Sequence, residues 1–259
     1  VILVTGDRGF IGSNLVKKFD TYHSVEIDNC YNFENIPWSD IEKIYHLGAI
    51  SSTTETNISL IHHYNIDYSI RLFEKAIEYK IPVVYASSAS VYGNSYTYKI
   101  NPLNYYSLSK ATVDYWVQDN MHRFVNVVGL RFFNVYGSGE DHKGSQASPI
   151  HQFMKQNPIR VFEDSDDFFR DFVWVEDCID CMLMRKESGI YDVGTSEPIS
   201  FQEVAELVAN ITGADIETIP FPKHLRDKYQ TYTCARKHFD KKFISVGEYL
   251  TTHLSNALD

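Results

Sequence analysis

The chain lacks any long apolar run. No stretch approaches the ~18 consecutive apolar residues of a membrane-spanning helix, and none reads as a secretory leader. Cysteine is scarce: Cys30, Cys178, Cys181 and Cys234 are the only four. That is too few for a disulfide framework, so a reducing, cytoplasmic setting is expected. Cys178-x-x-Cys181 has the spacing of half a zinc or redox site. It has no second pair and falls in a helical pattern, so it reads as two small core residues, and no metal is expected. Cations are in the minority, with 24 Lys and Arg against 34 Asp and Glu and a formal net charge of −10. This argues against nucleic acid or an anionic membrane surface as partner. Any anionic ligand must be held by local cations. Repeats and low-complexity segments are absent.

What is present suits an α/β protein. The 259 residues, 44% of them hydrophobic, suffice for one large domain or a domain with a smaller lobe. Val1 to Val4 is a short apolar run. Gly6, Gly9 and Gly12 follow at three-residue spacing, and a helical pattern starts directly after. A buried strand that turns through glycines into a helix forms a pyrophosphate cradle, because backbone N–H groups and the helix dipole face the ligand. The spacing differs from the commonest Gly-x-Gly-x-x-Gly, and an ordinary strand–helix turn can look the same. Asp28 supports the cradle: it ends a second apolar run about 20 residues on, where a ribose-binding acid belongs.

Strand and helix signals alternate through the first half, which predicts a doubly wound parallel sheet. Residues 29–40 leave little room for a full helix and another strand, so the cofactor sheet is expected to be shortened after its second strand. Ile44 to Ala49 reads as a strand into a turn, 57–79 as helix, and Pro82 to Ala86 as a buried strand ended by Ser87 to Ser90. A helix near 104–123 and a strand at 124–130 follow, then a loop from Arg131 to Ser148. The expected division is 1–132 plus 170–195 for dinucleotide binding, with 133–169 plus 196–259 as a smaller substrate lobe.

Tyr106 and Lys110 stand four apart on a predicted helix and share a face. A tyrosine works as a base near neutral pH only if its pKa falls by ~3 units, about 4 kcal/mol. A lysine one turn away and a cationic nicotinamide could supply this by favouring the phenolate. Alone, the pair better describes a surface tyrosine beside a helix lysine. Ser88 adds a hydroxyl just past a buried strand, able to hold a substrate oxygen as Tyr106 moves its proton. Its plain alternative is a serine satisfying a strand end.

Glycine-rich opening, strand-end serine and Tyr-x-x-x-Lys helix, in that order, resemble the short-chain dehydrogenase/reductase superfamily. The Ser-x-x-Val-Tyr-Gly segment at Ser88 resembles its extended, nucleotide-sugar branch. That resemblance implies a Rossmann-type fold with Ser88, Tyr106 and Lys110 as the catalytic set, and Lys110 also on the nicotinamide ribose. Ser51 to Glu55, Phe133 to Gly137, His142 to Ser145, Phe162 to Ser165, Arg170 to Val173 and Lys228 to Thr233 are together similar to the ADP-L-glycero-D-manno-heptose 6-epimerases.

By that resemblance Lys143 is a second acid/base. Asn134, Ser145, Gln152, Phe162, Glu163, Asp164, Ser165, Arg170 and Tyr229, with Ser88, line the sugar-nucleotide pocket. Gly6, Arg8, Gly9, Phe10, Ile11, Gly12, Asp28 and Asn29 hold the dinucleotide. Leu47, Gly48, Ala49 and Asn65 join them, with Tyr106 and Lys110. From the residues themselves, Arg170 could clamp a diphosphate or pair with Asp171. Asp28 favours NAD, whereas Arg8 could meet the 2′-phosphate of NADP; the resemblance tips the expectation to NADP. The implied reaction is oxidation to a ketone and hydride return to the opposite face. Ala89 and Ser90 follow Ser88 where the dehydratases of this branch carry an acidic pair, so elimination is not expected.

The chain departs from the family at Cys234 to Arg236, in Gln152 standing where a family histidine aligns, and in lacking a lysine near Asn32 to Glu34. Other readings are a UDP-hexose 4-epimerase, a sugar-nucleotide reductase, or a dinucleotide-sensing protein without catalysis. A homo-oligomer is implied by the family alone.

Overall fold

The computed structural model describes residues 1–25, 33–184, 186–222 and 229–254. The chain divides into two compact units. One comprises Val1–Gly93, Ile100–Arg131 and Met182–Tyr191; the other comprises Asn94–Lys99, Phe132–Cys181 and Asp192–Asp259.

In chain order the elements begin with β1 (Ile2–Thr5), α1 (Phe10–Leu15), β2 (Tyr22–Val25) and β3 (Lys43–His46). Then come α2 (Ile58–Ile61), a π turn (His62–Asp67), α3 (Tyr68–Glu78), β4 (Val83–Ser88), α4 (Tyr105–Asn120) and β5 (Val127–Phe132). β6 (Asn134–Tyr136), α5 (Pro149–Phe153), β7 (Ile159–Phe162), β8 (Phe169–Arg170) and β9 (Phe172–Trp174) follow. The last are α6 (Val175–Leu183), β10 (Gly189–Val193), β11 (Ile199–Ser200), α7 (Phe201–Thr212), β12 (Ile216–Ile219) and α8 (Val246–Tyr249).

The central sheet has six strands in the order β10-β5-β4-β3-β1-β2. β1 pairs in parallel with β2 on one side and β3 on the other, and β3 with β4. This is the doubly wound Rossmann-type sheet that the alternating pattern predicts. The classic order places a further strand outside the second; here β2 is outermost among the described residues, as the short segment after Asp28 implies.

Apolar runs make these strands. Leu3, Ile44, Val83 and Val127 are fully buried, and Tyr68, Leu72, Phe73 and Ala76 of α3 pack against them at helical spacing. Each such side chain contributes roughly 1.5–3 kcal/mol by leaving water. Asn104 starts α4 by accepting from the Ser107 N–H at 2.9 Å, which fixes where the Tyr106 turn begins. Two expectations need correcting. β4 continues through Ser88, because Ser87 points inward to a buried carboxylate. The stretch from Arg131 to Ser148 is not all loop, because Asn134–Tyr136 pairs in parallel with Phe172–Trp174.

In the second unit, β7 pairs with β12 and β8 with β11, around a core that includes Tyr136, Phe172, Val204 and Leu250. α7 opens with a capping box at Ser200 and Glu203 and closes at Gly213, φ +72°. Cys178 and Cys181 are buried side chains of α6.

Candidate active site

β1 ends at Thr5, and Gly6 turns the chain with φ +71°. A Cβ at Gly6 would sit 2.7 Å from the Gly48 Cα, and one at Gly12 only 2.0 Å from the Gly6 carbonyl oxygen. The turn is therefore folded on itself and against the end of β3 as closely as backbone allows. Gly9 is the N-cap of α1 and, having no side chain, supplies no side-chain cap. A helix start of this kind favours negative charge near its N–H groups. This lies where the chain leaves β1 for β2 on one side and β3 on the other, the switch point at which open α/β sheets bind ligands. The cradle fits a dinucleotide pyrophosphate: Gly6, Gly9 and Gly12 place no side chains of their own in the turn, so a ligand can approach the main chain closely. Phe10 is buried, Ile11 half-buried and Arg8 exposed. Asp28 and Asn29 lie outside the described residues.

A line of buried hydrogen bonds leads inward from the cradle. Thr5 Oγ1 accepts from the N–H groups of Leu47 (3.1 Å) and Gly48 (3.0 Å), so its own proton goes to His46 Nδ1 at 2.7 Å. On the far side Ser69 Oγ donates to the Asn65 carbonyl at 2.6 Å and receives from His46 Nε2 at 2.8 Å. These directions require a neutral imidazole with its proton on Nε2. Burial pushes the His46 pKa down to about 3, with Lys110 adding to the fall, so the ring stays neutral. The Asn65 side chain brackets Ile50, accepting from its N–H at 2.8 Å and donating to its carbonyl at 3.0 Å. It also donates to Ser109 Oγ at 3.0 Å, and Ser109 donates to the Tyr106 carbonyl at 2.7 Å. Cradle and tyrosine helix are thus joined by a chain of side chains that also engages the main-chain carbonyls of Asn65 and Tyr106.

Ser88, Tyr106 and Lys110 come together in this unit. Tyr106 lies close to Ser88, which favours its ionised form, while burial disfavours it more and leaves the net pKa raised; the Ser88 hydroxyl itself donates to Ser90 Oγ at 2.9 Å. Lys110 Nζ donates to the Ala86 carbonyl at 2.8 Å and lies 6.0 Å from the Tyr106 ring centre. Burial lowers Lys110 to about 8, with Asp114 opposing the shift. A tyrosine hydroxyl, a hydroxyl partner and a nearby cation of tunable charge can exchange a proton with an alcohol or ketone oxygen.

The second unit holds the other expected residues. Lys143 sits 3.9 Å from Glu140, whose buried carboxylate accepts from the Gly137 N–H (3.0 Å), the Ser148 N–H (2.5 Å) and Ser148 Oγ (2.8 Å). Burial lowers the Lys143 pKa and Glu140 opposes it. Gln152 braces the same loop from inside, donating to the carbonyls of Ala147 at 2.6 Å and Ser145 at 3.2 Å. Asn134 opens β6, and Glu163 and Asp164 are exposed. Ser165 is buried and donates to Gln202 at 2.9 Å.

Arg170 is 6% exposed, with its guanidinium 5.2 Å from the Phe201 ring and 5.1 Å from that of Tyr229. It donates to the carbonyls of Phe169 and Gln230, and burial lowers it to about 10. The ion pair with Asp171 is not formed: that carboxylate accepts from the N–H groups of Thr195, Ser196 and Ala235 instead. Among the described residues no carboxylate pairs with Arg170. Phe162 packs edge-on to Phe221, which packs in turn on Tyr229.

Reading the sequence missed Thr5, His46, Ser69 and Asp114. His46 carries a signal, since a histidine inside an otherwise apolar strand needs buried partners on both ring nitrogens. Asp114 has one too, because it extends the stripe of Tyr106 and Lys110 by a further turn.

A curated ADP-L-glycero-D-manno-heptose-6-epimerase from Alkalilimnicola ehrlichii is 35% identical over 283 residues, 91% of this chain and 88% of that protein. The crystal structure of the Helicobacter pylori ADP-L-glycero-D-manno-heptose-6-epimerase superimposes with a TM-score of 0.82 at 26% identity, covering 98% of this chain and 95% of the other. A UDP-glucose 4-epimerase from Thermotoga maritima, solved with UDP-glucose, shares the fold with a TM-score of 0.81 at 23% identity over 100% and 99% of the two chains. The model of the NAD dependent epimerase/dehydratase family matches residues 21–194, and with the switch-point cradle and the Ser88, Tyr106 and Lys110 cluster in place, the chain belongs to that family.

Proposed function

We propose that the protein is a nucleotide-sugar epimerase of the ADP-D-glycero-D-manno-heptose 6-epimerase type. The observation that carries this is the gathering of Ser88, Tyr106 and Lys110 into one cluster, in the same unit as the glycine cradle. The cofactor is a nicotinamide dinucleotide, held by the turn from Gly6 to Gly12 and the end of β3 at Leu47 to Ala49. We take its resident form as NADP on the exposed Arg8, which can meet a 2′-phosphate. When bound, this group supplies hydride uptake from a carbinol carbon and hydride return to the opposite face of the resulting ketone.

The protein's part is binding and proton movement. Tyr106 takes the hydroxyl proton, Ser88 holds the same oxygen, and Lys110 balances the phenolate and anchors the nicotinamide ribose. Lys143 is the second acid/base. Arg170, a buried cation sandwiched between rings, receives the diphosphate of the sugar nucleotide in place of a protein carboxylate. Ala89 and Ser90 after Ser88 offer no carboxyl group to drive loss of water, so the ketone is returned rather than eliminated. A non-catalytic sensor would not need the intact Ser88, Tyr106 and Lys110 set.

The test is to offer the purified protein ADP-heptose, UDP-glucose and UDP-N-acetylglucosamine and follow each stereocentre by NMR. Inversion at C-6 of the heptose alone supports the reading. Inversion at C-4 of a UDP-hexose moves the assignment to that class, and no turnover with any, in protein carrying its dinucleotide, sinks it.

A further inference from the structure

The residues behind the proton-transfer group form a second cluster that the reaction itself does not use. Asp114 follows Lys110 by one turn on α4, as Lys110 follows Tyr106, so the three make one stripe. The Asp114 carboxylate is 1% exposed. Its Oδ1 accepts from the Tyr85 hydroxyl at 2.9 Å. Its Oδ2 accepts from Ser87 Oγ at 2.9 Å and from Arg131 Nε at 2.8 Å, and Arg131 donates onward to the Tyr92 hydroxyl at 2.8 Å.

These contacts interleave with those of the site. Tyr85 and Ser87 of β4 bind Asp114; Ala86, between them, binds Lys110; Ser88, next along, meets Tyr106. β4 runs toward the site as α4 runs away from it, and the rungs are in order.

We propose that Asp114 is a positioning residue: it sets the register of β4 against α4 so that Ser88 meets Tyr106, and its charge keeps Lys110 a cation. The inference rests on the reading of Tyr106 and Lys110 given above.

The groups that face Lys110 are Asp114 and Tyr106 from its own helix, His46 from β3 and the Ala86 carbonyl from β4. His46 is neutral, so Asp114 is the anion among them. Facing Asp114 are Tyr85, Ser87 and Arg131, besides Lys110. Replacing Asp114 by Asn removes the negative charge and leaves Arg131 unbalanced. Both changes disfavour the Lys110 cation, so its ionisation must move to lower pH. Ser87→Ala keeps the charge and cuts one rung.

Lys110 can be titrated without substrate or cofactor, by competitive acetylation of the whole protein across pH with peptide mass spectrometry at that residue. Asp114→Asn is expected to lower the midpoint of Lys110 by more than half a pH unit and to move the alkaline limb of kcat with it, at KM within twofold of wild type. Ser87→Ala is expected to leave the midpoint in place and lower kcat about 3- to 10-fold, the usual worth of one hydrogen bond. A Lys110 midpoint unchanged in Asp114→Asn overturns the charge role. Wild-type kcat in Ser87→Ala overturns the register role, and decides the matter even if Asp114→Asn does not fold. Tyr106→Phe with undiminished turnover would instead strike the underlying reading, not the placement of Asp114.

Discussion

The carbonyl oxygen of Gly6 occupies the place a side chain at Gly12 would need, 2.0 Å from where its Cβ would stand. No rotamer relieves this, because the obstacle is main chain. Gly12→Ala must open the turn or shift the start of α1. The expected result is weaker binding of added NADP or NAD than in wild type, read by native mass spectrometry, with overpacking costing about 1–3 kcal/mol of stability. A variant that keeps both the dinucleotide and the wild-type melting temperature would show that the turn is not the cradle.

Tyr106→Phe removes the hydroxyl that meets Ser88 and keeps the ring. Turnover should fall about 10²- to 10⁴-fold, the usual contribution of a placed acid/base group. Binding of nucleotide sugar, followed by calorimetry, should stay within a few fold. A large loss of binding with unchanged turnover would reverse the roles.

Arg170→Met keeps the length and the contact with Phe201 and Tyr229 while removing the charge. The nucleotide sugar should then bind about 10- to 100-fold more weakly, since a hydrogen bond to a charged group is worth roughly 1.5–3 kcal/mol. The free sugar, which lacks the diphosphate, should be unaffected. Equal weakening of both in calorimetry would mean Arg170 serves packing.

His46 makes stability depend on pH. Folded, it binds a proton only below about pH 3; unfolded, it does so from about 6.5. Between these values the unfolded chain binds the extra proton. The contribution is therefore complete above pH 6.5 and is lost as pH falls, by about 1.4 kcal/mol per unit. Denaturant unfolding at pH 7 and pH 5 should show this slope in wild type, and a flatter one in His46→Gln, which is weaker at pH 7. Parallel slopes would mean that the imidazole is not held neutral.

Much of this was legible in the chain. Buried strands separated by helical patterns announce a parallel sheet, and three glycines after the first strand mark the tight turn into α1. Tyr106 and Lys110 are visible because helical spacing turns four residues into one face. What stayed hidden depends on distant pairing. β6 is three residues long and forms only because Phe172–Trp174 lies beside it, which no local pattern records. The Thr5, His46, Ser69 and Asn65 line spans residues tens of positions apart, each ordinary where it stands. Arg170 and Asp171 adjoin in sequence and look like an ion pair, yet three backbone N–H groups claim the carboxylate first.

The rungs between β4 and α4 also constrain chain length. Two residues of strand advance about 6.6 Å, and four residues of helix about 6.0 Å. The two ladders are nearly commensurate, so Ala86 to Ser88 spans the same distance as Lys110 to Tyr106. One residue inserted between Tyr106 and Asp114 would turn every later side chain by about 100° and unmesh the pair. Length can vary in the loop that joins the two elements, but within them the count is fixed.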